Sequence, residues 1–134
     1  MDGYRESMTA PRLFNHLYIL ATIALAVYSQ MIIRWRVGLA GGLPAGLGGK
    51  VVFLWSVLAQ PWTISAIVAT FLSGCCWMLA MSKFEISYAY PWVSLNFVLV
   101  LVLAALIFHE TLTPWKIAGC LFIILGVCCI SRSS

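Results

Sequence analysis

Between Ile86 and Phe108 the chain runs ISYAYPWVSLNFVLVLVLAALIF without a charged residue, bounded by Lys83-Phe84-Glu85 before it and His109-Glu110 after it. A helix needs roughly 20 predominantly apolar residues to cross about 30 Å of hydrocarbon at about 1.5 Å per residue. This run is long enough, and no other feature limits the fold as strongly. Its polar groups are gathered at one end. Ser87, Tyr88, Tyr90, Ser94 and Asn96 lie in the first half with Pro91 among them, whereas Val98 to Ile107 is aliphatic. A span with this asymmetry is expected to line a wet cavity with its first half.

Composition extends the membrane reading to the whole chain. Of 134 residues, 63% are hydrophobic and 9% charged, and the mean hydropathy is +1.00. A soluble domain of this size needs far more polar surface. The fold class is therefore an all-α integral membrane protein. The apolar runs are continuous rather than alternating, which argues against a β-barrel. The net charge of +4 is spread thinly and forms no basic patch, so no nucleic-acid partner is expected. The five cysteines, Cys75, Cys76, Cys120, Cys128 and Cys129, all fall in apolar runs. Their odd number argues against a disulfide framework. No His or carboxylate lies near either Cys pair in sequence, so they read as small buried apolar residues, with no metal site. No cleavable signal peptide is expected, because a polar segment precedes a run long enough to remain as a span.

Four spans are expected, at approximately 13–33, 61–82, 86–108 and 115–131, in one domain covering 1–134. Met1 to Arg12 reads as a mobile or interfacial tail. The first span closes on Arg34-Trp35-Arg36, residues typical of a membrane interface. Residues 34–60 hold a Gly-rich loop and a short interfacial helix, Lys50 to Gln60, with Ser56 and Gln60 one turn apart on one face. Pro61 then opens the second span, at a position where proline is tolerated. Four spans leave Arg5, Arg12, Lys83 and Arg132 on one side and Arg34, Arg36, Lys50 and Lys116 on the other. Four against four gives no orientation by the positive-inside rule. Either another feature fixes one topology, or the chain inserts both ways or pairs with an oppositely oriented partner.

Enzyme chemistry has little to work with: there are four carboxylates, of which Asp2 and Glu6 lie in the tail, while Glu85 and Glu110 sit at opposite ends of one span. No catalytic residue and no cofactor are expected. A polar passage between helices needs less. Gln30, an amide within the first span, requires a partner or a cavity, because burying it alone costs a few kcal/mol. Ser87, Tyr90 and Ser94 share a helical face. Their hydroxyls either line the passage or tie helices together. Pro91 removes a hydrogen bond to Ser87 and invites a kink there. Gly119 and Gly126, seven apart, form a candidate close-packing seam on the fourth span.

The segment Ile86 to Val98, with its Ala89-Tyr90-Pro91 turn leading into Ser94-Leu95-Asn96-Phe97, then His109-Glu110 and Gly119 to Val127, resembles the drug/metabolite transporter superfamily. The four-span layout is similar to its small multidrug resistance, EamA-type members. Among these the motifs most resemble the small subunits of the flippase for aminoarabinose linked to undecaprenyl phosphate, and Gln30 matches a Gln near the end of their first span. The likeness covers Trp62 to Ile130 well and Thr22 to Ile33 weakly. It implies a homodimer or a heterodimer with a similar small four-span protein, often antiparallel, packed at Gly119 and Gly126. It also implies cargo bound between the first three spans, and residence in the bacterial inner membrane. The drug-exporting members carry an acid in the first span; Leu17 to Ile33 has none.

The reading that follows is a flippase subunit for a polyprenyl-phosphate-linked sugar or a similar amphipathic lipid. Gln30, Tyr88, Tyr90, Ser94 and Asn96 line the path, Lys83 attracts the phosphate, and Glu85 contacts an amino or hydroxyl group of the sugar. Membrane lipids are the expected partners. A proton-coupled exporter of small cations or metabolites, using Glu85 or Glu110, is the first alternative. An accessory subunit anchoring a membrane glycosyltransferase is the second.

Overall fold

In a computed structural model the chain is all-helical, with no strand among the described residues, which are 2–133, with side chains from Leu13 onward. The elements are α1 (Asp2–Ala40), α2 (Leu47–Leu58), α3 (Pro61–Met81), α4 (Ile86–Val93), α5 (Leu95–Phe108) and α6 (Pro114–Arg132). Four helical segments are long and apolar enough to cross a membrane: Leu13–Ala40, Pro61–Met81, Ile86–Phe108 and Pro114–Arg132. The protein is a multi-pass membrane protein.

The first helix departs from expectation at both ends. The polar segment read as a tail is helical from Asp2, although its side chains, and Met1 altogether, lie outside the described residues. At the other end the helix continues through Arg34-Trp35-Arg36 to Ala40. Charge ends the stretch suited to hydrocarbon, but Arg and Trp do not break a helix. The stop is Gly41, whose φ of +88° is the left-handed C-terminal geometry that glycine adopts without penalty. The short helix α2 begins three residues before the expected Lys50 and ends at Leu58, short of the expected Gln60, which is the extended N-cap of α3. At 12 residues it is about 18 Å long, too short to span.

Packing is built on α1 and α3, the most extensively paired helices of the bundle. In lipid the apolar effect does not drive helices together, so close approach and hydrogen bonds must do so. The inward stripe of α3 is accordingly small: Thr63, Ala66, Ala69, Ser73 and Ala80 are its buried residues. Hydroxyls tie the two helices at three levels. Ser73 Oγ donates to the Thr22 carbonyl (2.8 Å), Ser29 and Thr70 share a bond of 2.5 Å, and Tyr28 and Ser65 one of 3.1 Å. The core sits where α1 meets α3 and α4, with Ile19, Ile23, Val27, Ala80 and Ala89 at its centre. The outer surface is apolar, from Phe71 on α3 to Trp115 and Phe122 on α6. The cysteines follow this pattern and correct the expectation of burial. All are free, Cys128 and Cys129 are exposed, and the other three are half-buried. A lipid-facing surface accepts apolar side chains without protein around them.

The third span is two helices. The interruption falls at Ser94, between α4 and α5, rather than at Ser87. Pro91 has no N–H to give to the Ser87 carbonyl. Three residues on, Ser94 N–H reaches both the Tyr90 and Pro91 carbonyls (3.3 and 3.1 Å), and its hydroxyl donates to the Pro91 carbonyl. α5 ends on His109, left-handed at φ 53°, with the Glu110 N–H returning to the Ala104 carbonyl at 3.4 Å. That turn brings Glu110 to the end of α1, where its Oε1 accepts from Arg34 Nη2 at 2.9 Å and Nε at 3.1 Å.

Candidate functional site

A turn of four residues, Ser82 to Glu85, joins α3 to α4, held by the Lys83 and Phe84 N–H groups bonding to the Ala80 carbonyl (3.0 and 2.9 Å). It presents Lys83 and Glu85 at the end of the bundle opposite Arg34 and Glu110. Glu85 occupies the N-cap of α4 but makes no side-chain cap bond. Both side chains are exposed, and neither forms an ion pair among the described residues. They line a cavity of about 520 Å³ together with Asn15, His16, Phe84, Tyr88 and Ser131.

The wall of this cavity is an aromatic cluster around His16. Its Nε2 lies 3.1 Å from the Tyr88 hydroxyl. Its ring makes edge contacts with Phe84 at 4.9 Å, Trp92 at 6.0 Å and Tyr88 at 6.1 Å, and Phe84 stacks on Tyr88 at 5.5 Å. Edge-to-face and offset contacts of this kind hold side chains in place. The result is a fixed aromatic surface beside one free ammonium and one free carboxylate.

A second cavity of about 390 Å³ lies between the third span and α6. It is lined by Trp92, Leu95, Ile124, Val127, Cys128, Ser131 and Arg132, and its wall is mostly apolar. Ser131 belongs to both cavities, so a polar chamber and an apolar groove meet there. An amphipathic molecule, charged at one end and aliphatic at the other, matches that pair.

The expected site residues divide into two groups. Lys83, Glu85 and Tyr88 come together in the polar chamber. Gln30, Tyr90, Ser94 and Asn96 lie elsewhere. Tyr90 is exposed and packs edge-on against Trp77 of α3 at 5.9 Å, and Ser94 is engaged in its own helix. Gln30 is exposed even though it stands on the stripe of α1 that carries Ile23, Val27 and Arg34, so the bundle is open at its level. Asn96 lies one turn before Val100 and two before Leu103, both packed on the core, and its Oδ1 is buried without a partner. The Trp92 indole N–H, one turn earlier, is likewise buried and unpaired. A donor and an acceptor left in this state on one helical stripe carry a desolvation cost of about 1–3 kcal/mol each. Gly119 and Gly126 stand on the outer side of α6, where an added Cβ would meet nothing within 4 Å. Asn15, His16 and Ser131 are the residues that sequence reasoning missed. The polarity of Asn15-His16 at the start of the first apolar run was a signal, but only the tertiary fold brings them to Lys83.

Comparison with known proteins agrees with this architecture. The model of the EamA-like transporter family matches residues 9–132. The chain is 33% identical over 122 residues to a probable 4-amino-4-deoxy-L-arabinose-phosphoundecaprenol flippase subunit ArnF of Photorhabdus laumondii, covering 88% of this chain and 97% of that protein. It is 32% identical over 121 residues to the corresponding probable subunit ArnE of Pseudomonas aeruginosa, covering 87% and 96%. No solved structure matches the chain. With a family model spanning nearly its whole length and full-length relatives at this identity, the chain is a member of the EamA-like transporter family.

Proposed function

We propose that this protein is a small flippase subunit that carries a polyprenyl-phosphate-linked aminosugar across the bacterial inner membrane. The observation that carries the reading is the junction at Ser131 of a polar chamber with an apolar groove. The names of the full-length relatives support the same cargo class. Lys83 attracts the phosphate and Glu85 takes the sugar's amino or hydroxyl group. The Phe84, Tyr88 and Trp92 rings, fixed by His16, present apolar faces to the sugar ring, as binding sites with a few placed polar groups do. The polyprenyl chain lies along the groove between the third span and α6, still in contact with lipid. Gln30, Tyr90, Ser94 and Asn96 belong to a later part of the path, entered when α4 moves about the Pro91–Ser94 hinge. The working unit is a pair of four-span chains, identical or not, meeting at the open face of α6 with Gly119 and Gly126. The chain does no covalent chemistry.

The test is translocation of a polyprenyl-phosphate-aminosugar analogue in vesicles holding this chain, alone or with a second small four-span subunit. Lys83→Gln and Glu85→Gln are each expected to slow transfer at least about tenfold, the loss of one charge-assisted contact. Alanine at Tyr90 and Asn96 tests the later path. Unchanged transfer in the Lys83→Gln/Glu85→Gln double variant sinks the assignment of the chamber. Proton-driven uptake of a quaternary ammonium compound that Glu85→Gln abolishes would favour cation export instead.

A further inference from the structure

The opposite end of the bundle holds a cationic side chain for which the flippase reading has no use. Arg36, near the C-terminus of α1, lines a cavity of about 210 Å³ with Leu39, Ala40, Ser56, Val57 and Gln60, so α1, α2 and the start of α3 all contribute. A single water needs only ~10–15 Å³, so the space admits a polyatomic group. The guanidinium is incompletely matched. One nitrogen, Nη2, donates to Gln60 Oε1, and the face lies 5.4 Å from the Trp35 ring, but Nε is buried and has no partner. Thr63 Oγ1, one turn after Gln60, is also buried and unpaired.

Nothing among the described residues neutralises this charge. Arg34, Arg36, Lys50 and Lys116 stand at this end against Glu110, and Glu110 is taken by Arg34. Arg36 is half-buried with its Nε fully enclosed and no counter-charge beside it, which is costly, whereas its planar fork matches phosphate oxygens in pairs. Gln60, with its Oε1 engaged by Arg36, keeps its amide N–H groups to donate. The floor is an apolar helix too short to span, with Leu47, Val51, Val52 and Trp55 exposed, as befits a helix at the lipid surface. Basic pockets between helices at a membrane face are where anionic lipid head groups bind.

We infer that the Arg36 cavity is a phosphate site, separate from the Lys83–Glu85 chamber and at the other face of the membrane, whose ligand is a phosphate monoester or diester of net negative charge. It stands whether or not the cargo reading is right. Occupied, it completes the Arg36 fork and pins α2 against the ends of α1 and α3.

Thermal unfolding of the full chain in a neutral detergent tests this, with phosphatidylglycerol, phosphatidylcholine or inorganic phosphate added. Phosphatidylglycerol is expected to raise the midpoint by about 5 °C at saturation, and phosphatidylcholine much less. Arg36→Gln should lose the shift and Arg36→Lys most of it. Ser56→Phe, which fills the cavity and leaves Arg36 in place, should lose it too, so the conclusion does not hang on one variant. Lys50→Gln, the same charge change outside the cavity, should keep it. A shift from inorganic phosphate as large as from the lipid would assign a free anion, and a shift from the lipid alone would assign a head group; either supports the site. No shift in the native chain, or equal loss in Lys50→Gln and Arg36→Gln, overturns it.

Discussion

The α1–α3 seam and the boundary between the third span and α6 are both helix pairs in one bundle, yet they are built on opposite rules. The first is a stripe of small residues pressed against α1, with Ala66 and Ala80 fully buried and hydroxyl bonds at three levels. The second has bulky side chains with space between them, including a groove of about 390 Å³ whose one buried lining residue is Val127. The difference teaches where this protein keeps its shape and where it keeps room. In a solvent as apolar as the helices themselves, small residues and hydrogen bonds hold a pair together. A pair without them is free to admit an acyl chain. The Ser94 interruption and Trp92, with its orphaned indole N–H, stand beside that groove, whereas Thr63 Oγ1 is an orphan on the tight seam.

The largest expected effect lies in the tight half. Ala80 is fully buried against Ile19 and Ile23, so Ala80→Leu has nowhere to place its added carbons. Overpacking of this kind costs about 1–3 kcal/mol. Reversible unfolding in mixed micelles should register the loss. A stability within about 0.5 kcal/mol of the native chain would mean that α1 and α3 separate easily and that the contrast between the halves is false.

How much of this was legible beforehand follows the same division. The third span could be read because length and charge act locally, but its Tyr-Pro turn could not: Tyr90 and Pro91 lie inside α4, and the interruption falls at Ser94. The pairing of Ser56 and Gln60 on one helical face was misread: α2 ends at Leu58 and Gln60 is the extended N-cap of α3, although both residues line the Arg36 cavity. The end of the first helix was misjudged, since Arg34 and Arg36 mark where hydrocarbon stops while the backbone stops only at Gly41. The site was half visible. Lys83, Glu85 and Tyr88 lie within six residues, so one turn gathers them. Asn15, His16 and Ser131 reach them only through the packing of α1 and α6, and no periodicity reports that.

A smaller effect sharpens the comparison at the level of single bonds. Ser73→Ala removes the bond from Ser73 to the Thr22 carbonyl and leaves a backbone acceptor that Thr22's own helix partly satisfies. Interhelical bonds of this type average about 0.6 kcal/mol in membranes. The same micelle experiment should show a loss near that value. A loss above about 2 kcal/mol would mean that the hydroxyls, rather than the close approach of small residues, hold the seam.

The smallest effect on the single chain belongs to Gly126→Leu, and its smallness is the point. Gly126 lies on the open side of α6, and a Cβ built there finds no atom within 4 Å. Within one chain the substitution removes nothing and replaces the poorer helix former, a gain of up to about 1 kcal/mol. Dilute protein in detergent should therefore unfold at the same point or slightly later. If the outer face of α6 is a seam between two chains, the leucine holds the backbones apart, and the loss appears only in the concentration-dependent association seen by cross-linking or sedimentation. A variant that is as stable as the native chain and no longer associates places the partner on α6. A variant that associates normally returns that face to lipid, and the α1–α3 seam is then the one close-packed surface that the described residues supply.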